Sequence, residues 1–274
     1  MHRISLAIQT PDVEPILPVA LLCGTLAEKL EKAARFGAQG IEFMTVQPKT
    51  LDAGWIREKL NLYGIQPAAV ASGGLAFTAG LTLLHADPLR ASQARNRLSQ
   101  LVEFAAEIGA PLVTIGSFRG RLSSIGDQGE EILGQVLYQA AQLASQQGIR
   151  LVIEPLNRYE TDFIHTTDQG LDFIQKVGHS HLGLLLDTYH VNIEESSWTA
   201  PFKAACAAGK LWHVHLGDNN RLPPGNGLID FRSILATLDG CGYTGFLSAE
   251  LLAKPDPDQA ALQTIQYIES LKRS

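Results

Sequence analysis

The stretch Leu151-Val152-Ile153-Glu154-Pro155-Leu156-Asn157-Arg158-Tyr159-Glu160 sets the reading of the whole chain. Val152 and Ile153 favour a buried strand, and Pro155 cannot donate to a β-ladder, so the strand is expected to stop near Glu154. That puts a carboxylate at a strand's carboxyl end, the edge of an open α/β sheet or a barrel where ligands bind. A lone carboxylate buried there is costly unless positive charge meets it.

Three later stretches repeat the pattern of an apolar run that ends in an acid or an imidazole. Leu182-Gly183-Leu184-Leu185-Leu186 ends in Asp187, with Thr188-Tyr189-His190 beyond it. Leu211-Trp212-His213-Val214-His215 runs into Gly217-Asp218-Asn219-Asn220-Arg221, and Gly245-Phe246-Leu247-Ser248-Ala249 ends in Glu250. If the four strands lie parallel in one closed sheet, Glu154, Asp187, His215 and Glu250 converge at one mouth, which a metal ion would make favourable. Three carboxylates and one imidazole suit a hard or borderline divalent ion such as Mn²⁺ or Mg²⁺.

Each of these residues taken alone has a plainer role. Glu154 could pair with Arg158, Asp187 could accept a loop amide, and Glu250 could pair with Lys254. The repetition at four strand ends argues for a shared ion. His213 and His215 alternate with Val214 and face the same side, so either could be the ligand. His215, nearer the carboxyl end, is preferred, with His213 a packed, hydrogen-bonded residue further in. His190, just past a strand, is either exposed or, given its nearness to Asp187, on the substrate, and Arg221, in the 217–227 loop, reads either as a solvated loop residue or as a fork for substrate oxygens. Arg119 and Arg121, after the fourth strand, read either as a hold for an anionic group such as phosphate or as surface residues.

Outward from these motifs the chain alternates. Strands are expected over residues 4–8, 41–44, 66–71 and 111–116 ahead of the four already named. Helices are expected over 25–36, 51–63, 132–145, 168–177 and 198–208, from Asp87-Pro88 to Gly109, from Asp230 to Gly240, and onward from Asp256-Pro257. About eight strand–helix pairs predict a (β/α)₈ TIM barrel, one domain over 1–274, with a doubly wound open sheet as the rival. Residues 10–23 and 75–85 read as loops over the mouth.

Composition agrees. The 274 residues are 45% hydrophobic and 18% charged, enough for a large core, and no linker divides them. The formal charge of -6 argues against nucleic acid as the main partner, which needs a basic face. Cys23, Cys206 and Cys241 form no Cys-x-x-Cys, which fits reduced thiols and excludes a zinc ribbon. Residues 1–8 have no signal-peptide pattern and no segment is long enough for a bilayer, so a cytoplasmic protein with no membrane partner is expected.

The segments Glu154-Pro-Leu-Asn-Arg-Tyr-Glu160, Leu186-Asp-Thr-Tyr-His-Val-Asn192, His215-Leu-Gly-Asp-Asn-Asn-Arg-Leu-Pro-Pro-Gly-Asn-Gly227 and Ala249-Glu-Leu251 together resemble the ketose 3-epimerases. These are the D-tagatose/D-psicose 3-epimerase group of the xylose isomerase-like barrel superfamily. The likeness covers the second half of the chain, while the first half shares only the strand–helix rhythm. It implies Glu154, Asp187, His215 and Glu250 as ligands of a divalent metal, Mn²⁺ ahead of Mg²⁺ or Co²⁺ and Zn²⁺ last. It further implies Glu160, His190 and Arg221 as sugar contacts and a homodimer or homotetramer. In such enzymes the ion polarises the ketose oxygens and stabilises a cis-enediolate; one glutamate of the Glu154/Glu250 pair takes the C3 proton and the other returns one to the opposite face.

The segment Ser117-Phe-Arg-Gly-Arg121 lies outside that pattern and marks a different substrate length or charge. Within the superfamily the alternatives are an inosose-type dehydratase and a hydroxypyruvate isomerase. Outside it stand an apurinic endonuclease-like barrel, disfavoured by the negative balance, and a non-catalytic sugar-binding barrel.

Overall fold

Eight short apolar runs form the strands of the computed structural model, which describes residues 2–272. They are β1 (Arg3–Gln9), β2 (Gly40–Met44), β3 (Gln66–Ala71), β4 (Leu112–Ile115), β5 (Arg150–Ile153), β6 (Leu182–Asp187), β7 (Leu211–Leu216) and β8 (Phe246–Ala249). All neighbours pair in parallel in chain order, and β1 pairs with β8, so the sheet closes into a barrel. Helices connect the strands: α1 (Leu26–Phe36), α2 (Ala53–Tyr63), α3 (Gly73–Phe77), α4 (Pro88–Ile108), α5 (Gly129–Gln146), α6 (Thr167–Val177), α7 (Thr188–Glu194), α8 (Ala200–Ala207), α9 (Phe231–Gly240) and α10 (Pro257–Lys272). The open-sheet alternative is thereby excluded. Among the described residues no helix is long and apolar enough to cross a membrane.

Local chemistry starts and stops these helices where the sequence suggests. Thr25 closes a capping box with Glu28 at α1, and the side chains of Asp52, Asp87 and Asp230 accept first-turn amides of α2, α4 and α9. Two short helices were not expected. Residues 73–77 turn once as α3 where a loop over 75–85 was read, and α7 follows β6 directly because Asp187 caps it, accepting from Tyr189 N at 2.8 Å.

Strand alternation decides what enters the barrel. Leu151 and Ile153 join the large cluster between sheet and helices, whereas Val152 packs inside with Ala69, Leu112 and Leu185, closed off by Trp212. Residues two further along on the inner side of β5 and β6 are Glu154 and Asp187. The same alternation that buries a valine and a leucine therefore aims two carboxylates at the carboxyl-terminal mouth. The interior layer also makes the barrel a packed plug; truncating Leu185 to Ala should cost about 2–5 kcal/mol.

Candidate active site

The mouth holds a cavity of about 590 Å³. Its floor carries Glu154, His215 and Glu250, its wall Glu160, His190 and Arg221, and its rim Pro15 to Val19 with Phe77. The loop expected over 10–23 thus does border the mouth. Gln9 shapes it, donating to Val13 O and accepting from Leu17 N, each at 2.8 Å.

Glu154, Asp187, His215 and Glu250 each present one donor atom, and these four atoms lie within 4.8 Å of one another. His215 Nδ1 is 3.7 Å from Glu154 Oε1 and 3.6 Å from Glu250 Oε2. Glu154 Oε1, Asp187 Oδ2 and His215 Nδ1 are buried with no hydrogen-bond partner. Buried polar atoms are almost always satisfied, so three open ones within reach of one another mark a place for a ligand. A divalent cation fits this donor set, since it would satisfy all three at once.

The protein's own charges leave the same imbalance. Burial, with His215 opposing and Glu250 and Asp187 adding to it, pushes Glu154 well above the usual carboxylate range. Burial carries Asp187 up to about 6 despite Arg221 and His215. Burial also works against Glu250, but His215 and Arg221 hold it below its ordinary value.

Glu42, on β2, was not singled out from the sequence. It is fully buried, and its carboxylate oxygens accept from His213 Nε2 at 2.9 Å and His215 Nε2 at 3.1 Å. Burial opposes its ionisation, yet His215 and His213 keep it well below the usual carboxylate range. Because an ionised carboxylate only accepts, His215 carries a proton on Nε2. Burial opposes a charge on the ring, but Glu42 and Glu250 raise its pKa well above the ordinary value, so a cation bound by the cluster would take the place of the Nδ1 proton. The Glu42–His215 contact is the carboxylate–histidine arrangement that orients metal ligands. Glu42, His213 and His215 also meet the spacing of a metal site, but their atoms are spent on each other. His213 is the packed inner residue that the sequence suggested. A glutamate inside the apolar run Ile41-Glu42-Phe43-Met44 was itself a legible signal, since alternation alone could have placed it inward.

His190 enters through α7. Its Nδ1 accepts from Asn157 N at 3.3 Å and lies 2.8 Å from Asn157 Nδ2, so its proton sits on Nε2. That nitrogen has no partner and faces Glu154 Oε1 at 3.7 Å and Asp187 Oδ2 at 3.9 Å. Burial, with the Arg221 and His215 charges, keeps the ring neutral, well below its ordinary value. A neutral N–H donor suits a substrate oxygen.

Arg221 spans the mouth, donating to Glu160 Oε1 at 3.1 Å and Glu250 Oε2 at 3.3 Å and stacking on Tyr189 at 4.9 Å. The loop that bears it is organised by buried Asp218, which accepts from the amides of Asn219, Gly225, Gly227 and Ile229. The plainer ion pairs do not form. Arg158 pairs with Glu194, and Glu250 pairs with Arg221 in place of Lys254. Asp187 does bind a loop amide, with one oxygen, and keeps the other open.

Arg119 departs from both sequence readings. It is neither a surface residue nor a hold for phosphate, because its guanidinium is buried and both terminal nitrogens donate to backbone carbonyls, with Nε left unpartnered. Burial draws its pKa down to about 10, still charged at neutral pH. Arg121 alone of the pair lines the cavity, donating to Glu160 O at 3.0 Å.

A closed parallel barrel with an acidic cluster at its carboxyl-terminal mouth defines a class, and comparison with known proteins names it. The chain belongs to the xylose isomerase-like TIM barrel family, whose model matches residues 30–271. Ketose 3-epimerase of Arthrobacter globiformis is 32% identical over 226 residues, 77% of this chain and 77% of that protein. L-ribulose 3-epimerase of Mesorhizobium japonicum is 29% identical over 242 residues, 85% of this chain and 78% of that one. A solved structure of an L-ribulose 3-epimerase matches with a TM-score of 0.80 and 25% identity, over 100% of this chain and 96% of that one. Epimerases are isomerases, and the curated relatives favour that class over the dehydratase, endonuclease and binding-module alternatives.

Proposed function

We propose that this protein is a metal-dependent ketose 3-epimerase, with Mn²⁺ its preferred ion. The observation that carries the reading is the set of buried, unpartnered atoms on Glu154, Asp187 and His215, with Glu250 completing the four. In this reading those four residues hold the ion. When bound it supplies Lewis-acid polarisation of the ketose oxygens and eases the negative charge that grows as hydrogen leaves carbon.

The remaining work falls to the chain. Glu154, the residue after β5, and Glu250, the residue after β8, approach the mouth from different strands. One takes the C3 proton and the other delivers a proton to the opposite face, which inverts that carbon and leaves the atom count unchanged. His190 donates from Nε2 to a substrate oxygen. Arg221 and Glu160, already paired, present a guanidinium and a carboxylate for the sugar's hydroxyls. The rim of Pro15 to Val19 and Phe77 limits water at the reacting carbon.

Ketohexoses and ketopentoses incubated with the Mn²⁺-loaded protein in D₂O provide the test. Deuterium should appear at C3 together with the C3 epimer. Absence of exchange on every sugar would sink the proposal. Label and product at the neighbouring carbon instead would identify an aldose–ketose isomerase using the same groups.

A further inference from the structure

We infer that Arg119 is a positioning residue that fixes both the Glu154 carboxylate and the loop carrying Glu160. This deepens the function proposed above and rests on it for what the positioned groups do. The guanidinium is 1% exposed and forms no ion pair with a carboxylate among the described residues. Its acceptors are all main-chain carbonyls. Nη1 donates to Gly116 O at 3.2 Å and Glu154 O at 2.7 Å, and Nη2 to Phe163 O at 2.8 Å and Ile164 O at 3.2 Å.

One planar cation therefore joins the end of β4, the end of β5 and the returning arm of the 155–164 loop. The Glu154 and Asp162 charges favour the guanidinium without touching it, and burying a cation with no carboxylate in contact is expensive, so its persistence marks a demanding local geometry. A lysine's single ammonium cannot reproduce four carbonyls held by a rigid fork.

The loop shows what is being held. Ile164 is β-branched yet sits at φ +62°, a region such residues seldom enter. Its carbonyl accepts from Leu156 N at 3.1 Å as well as from Arg119, pinching the loop shut. Inside the pinch Asn157 donates to Glu160 Oε1 at 3.0 Å and meets His190 Nδ1. The neighbouring residues grip the same loop, as Arg121 donates to Glu160 O and the amides of Leu122 and Ser123 donate to Asp162 at 2.9 and 3.0 Å. On the β4 side, a Cβ at Gly116 would meet Glu154 Oε2 at 2.5 Å, so the strand end is shaped to the carboxylate itself. Segment 117–123 is thus the cradle of the β5 motif.

Arg119→Lys and Arg119→Ala test this by readouts that scaffolding alone would not move. We expect Arg119→Lys to fold but to bind Mn²⁺ about 10–100-fold more weakly by calorimetry, the loss typical when support behind a ligand is removed. Its kcat should fall with it, KM should rise through Glu160, and amide exchange should quicken selectively over residues 154–164. Millimolar guanidinium, but not methylammonium, should restore part of the Mn²⁺ affinity of Arg119→Ala. If Arg119→Ala fails to fold, Arg119→Lys carries the test alone. Mn²⁺ affinity, kcat and KM of Arg119→Lys within twofold of wild type, with only melting temperature lowered, would overturn the assignment. Should the wild type turn over no ketose, the function proposal fails by itself, and Mn²⁺ affinity and amide exchange still decide the role of Arg119.

Discussion

Two carboxylate–imidazole layers lie one step apart in the barrel, and they differ in what is left over. In the inner layer Glu42 gives both oxygens to His213 and His215. In the mouth layer Glu154, Asp187 and the far side of His215 keep buried atoms with no protein partner. The mouth layer holds three carboxylates to one imidazole and the inner layer one to two, and the inner layer's carboxylate alone has both oxygens satisfied by imidazoles. The Ser5 and Ser248 hydroxyls are also buried without partners, but a neutral hydroxyl costs far less to leave open than a carboxylate. The lesson is that an acidic cluster marks a centre when the protein declines to saturate it. A saturated one serves to aim its neighbours.

Substitution in the open layer gives the largest expected effect. Glu250→Gln keeps the shape and an acceptor for Arg221 but cannot take a proton, so C3 exchange should slow by about 10²–10⁴-fold. A variant within threefold of wild type would break the assignment of Glu250. Metal supply comes next. Mn²⁺ at 100 times its Kd should stabilise the fold by about 2.7 kcal/mol at 25 °C, and chelation should remove that gain together with activity. Asp187→Asn should lose most of the response; an equal gain in both proteins would place the ion elsewhere.

Glu42→Gln probes the saturated layer. It leaves two imidazoles competing for one amide oxygen, and Mn²⁺ affinity or turnover should drop about 10–100-fold. A loss as complete as that of Glu250→Gln would erase the distinction between the layers.

The smallest effect belongs to Asp12, another saturated carboxylate, in the loop after β1 and outside the cavity lining. It accepts from the hydroxyls of Thr10 and Thr45 and the amides of Val46 and Gln47. Burial works against its charge, but those donors outweigh it and hold the pKa below the ordinary value. A lowered folded pKa gives stability that is fully present above the unfolded value of about 3.9 and disappears as pH falls through the folded one. Asp12→Asn should therefore cost about 1–2 kcal/mol in urea unfolding at pH 7, a deficit that narrows in acid, with Mn²⁺ affinity unchanged. A deficit constant down to pH 2.5, or weakened metal binding, would contradict this account.

Much of this was legible in the linear chain because its rules are local. Alternation in Leu151–Glu154 and Leu182–Asp187 set the inward faces, and Asp caps set helix starts at Asp87 and Asp230. The parallel rhythm predicted the closed barrel, and strand ends offered Glu154, Asp187, His215 and Glu250 as partners. Two pairings were not legible, because the partners lie far apart in the chain. Glu42 stands 171 residues from His213, and Arg119 stands 44 from Phe163.

The sequence by itself determined which side chains face the barrel interior, since periods of two and 3.6 residues are properties of the local backbone. Only the tertiary structure decided which of the inward polar atoms meet a partner and which stay open. Hydrogen-bond satisfaction depends on ångström-scale distances between strands far apart in the chain, and no local rule encodes those distances.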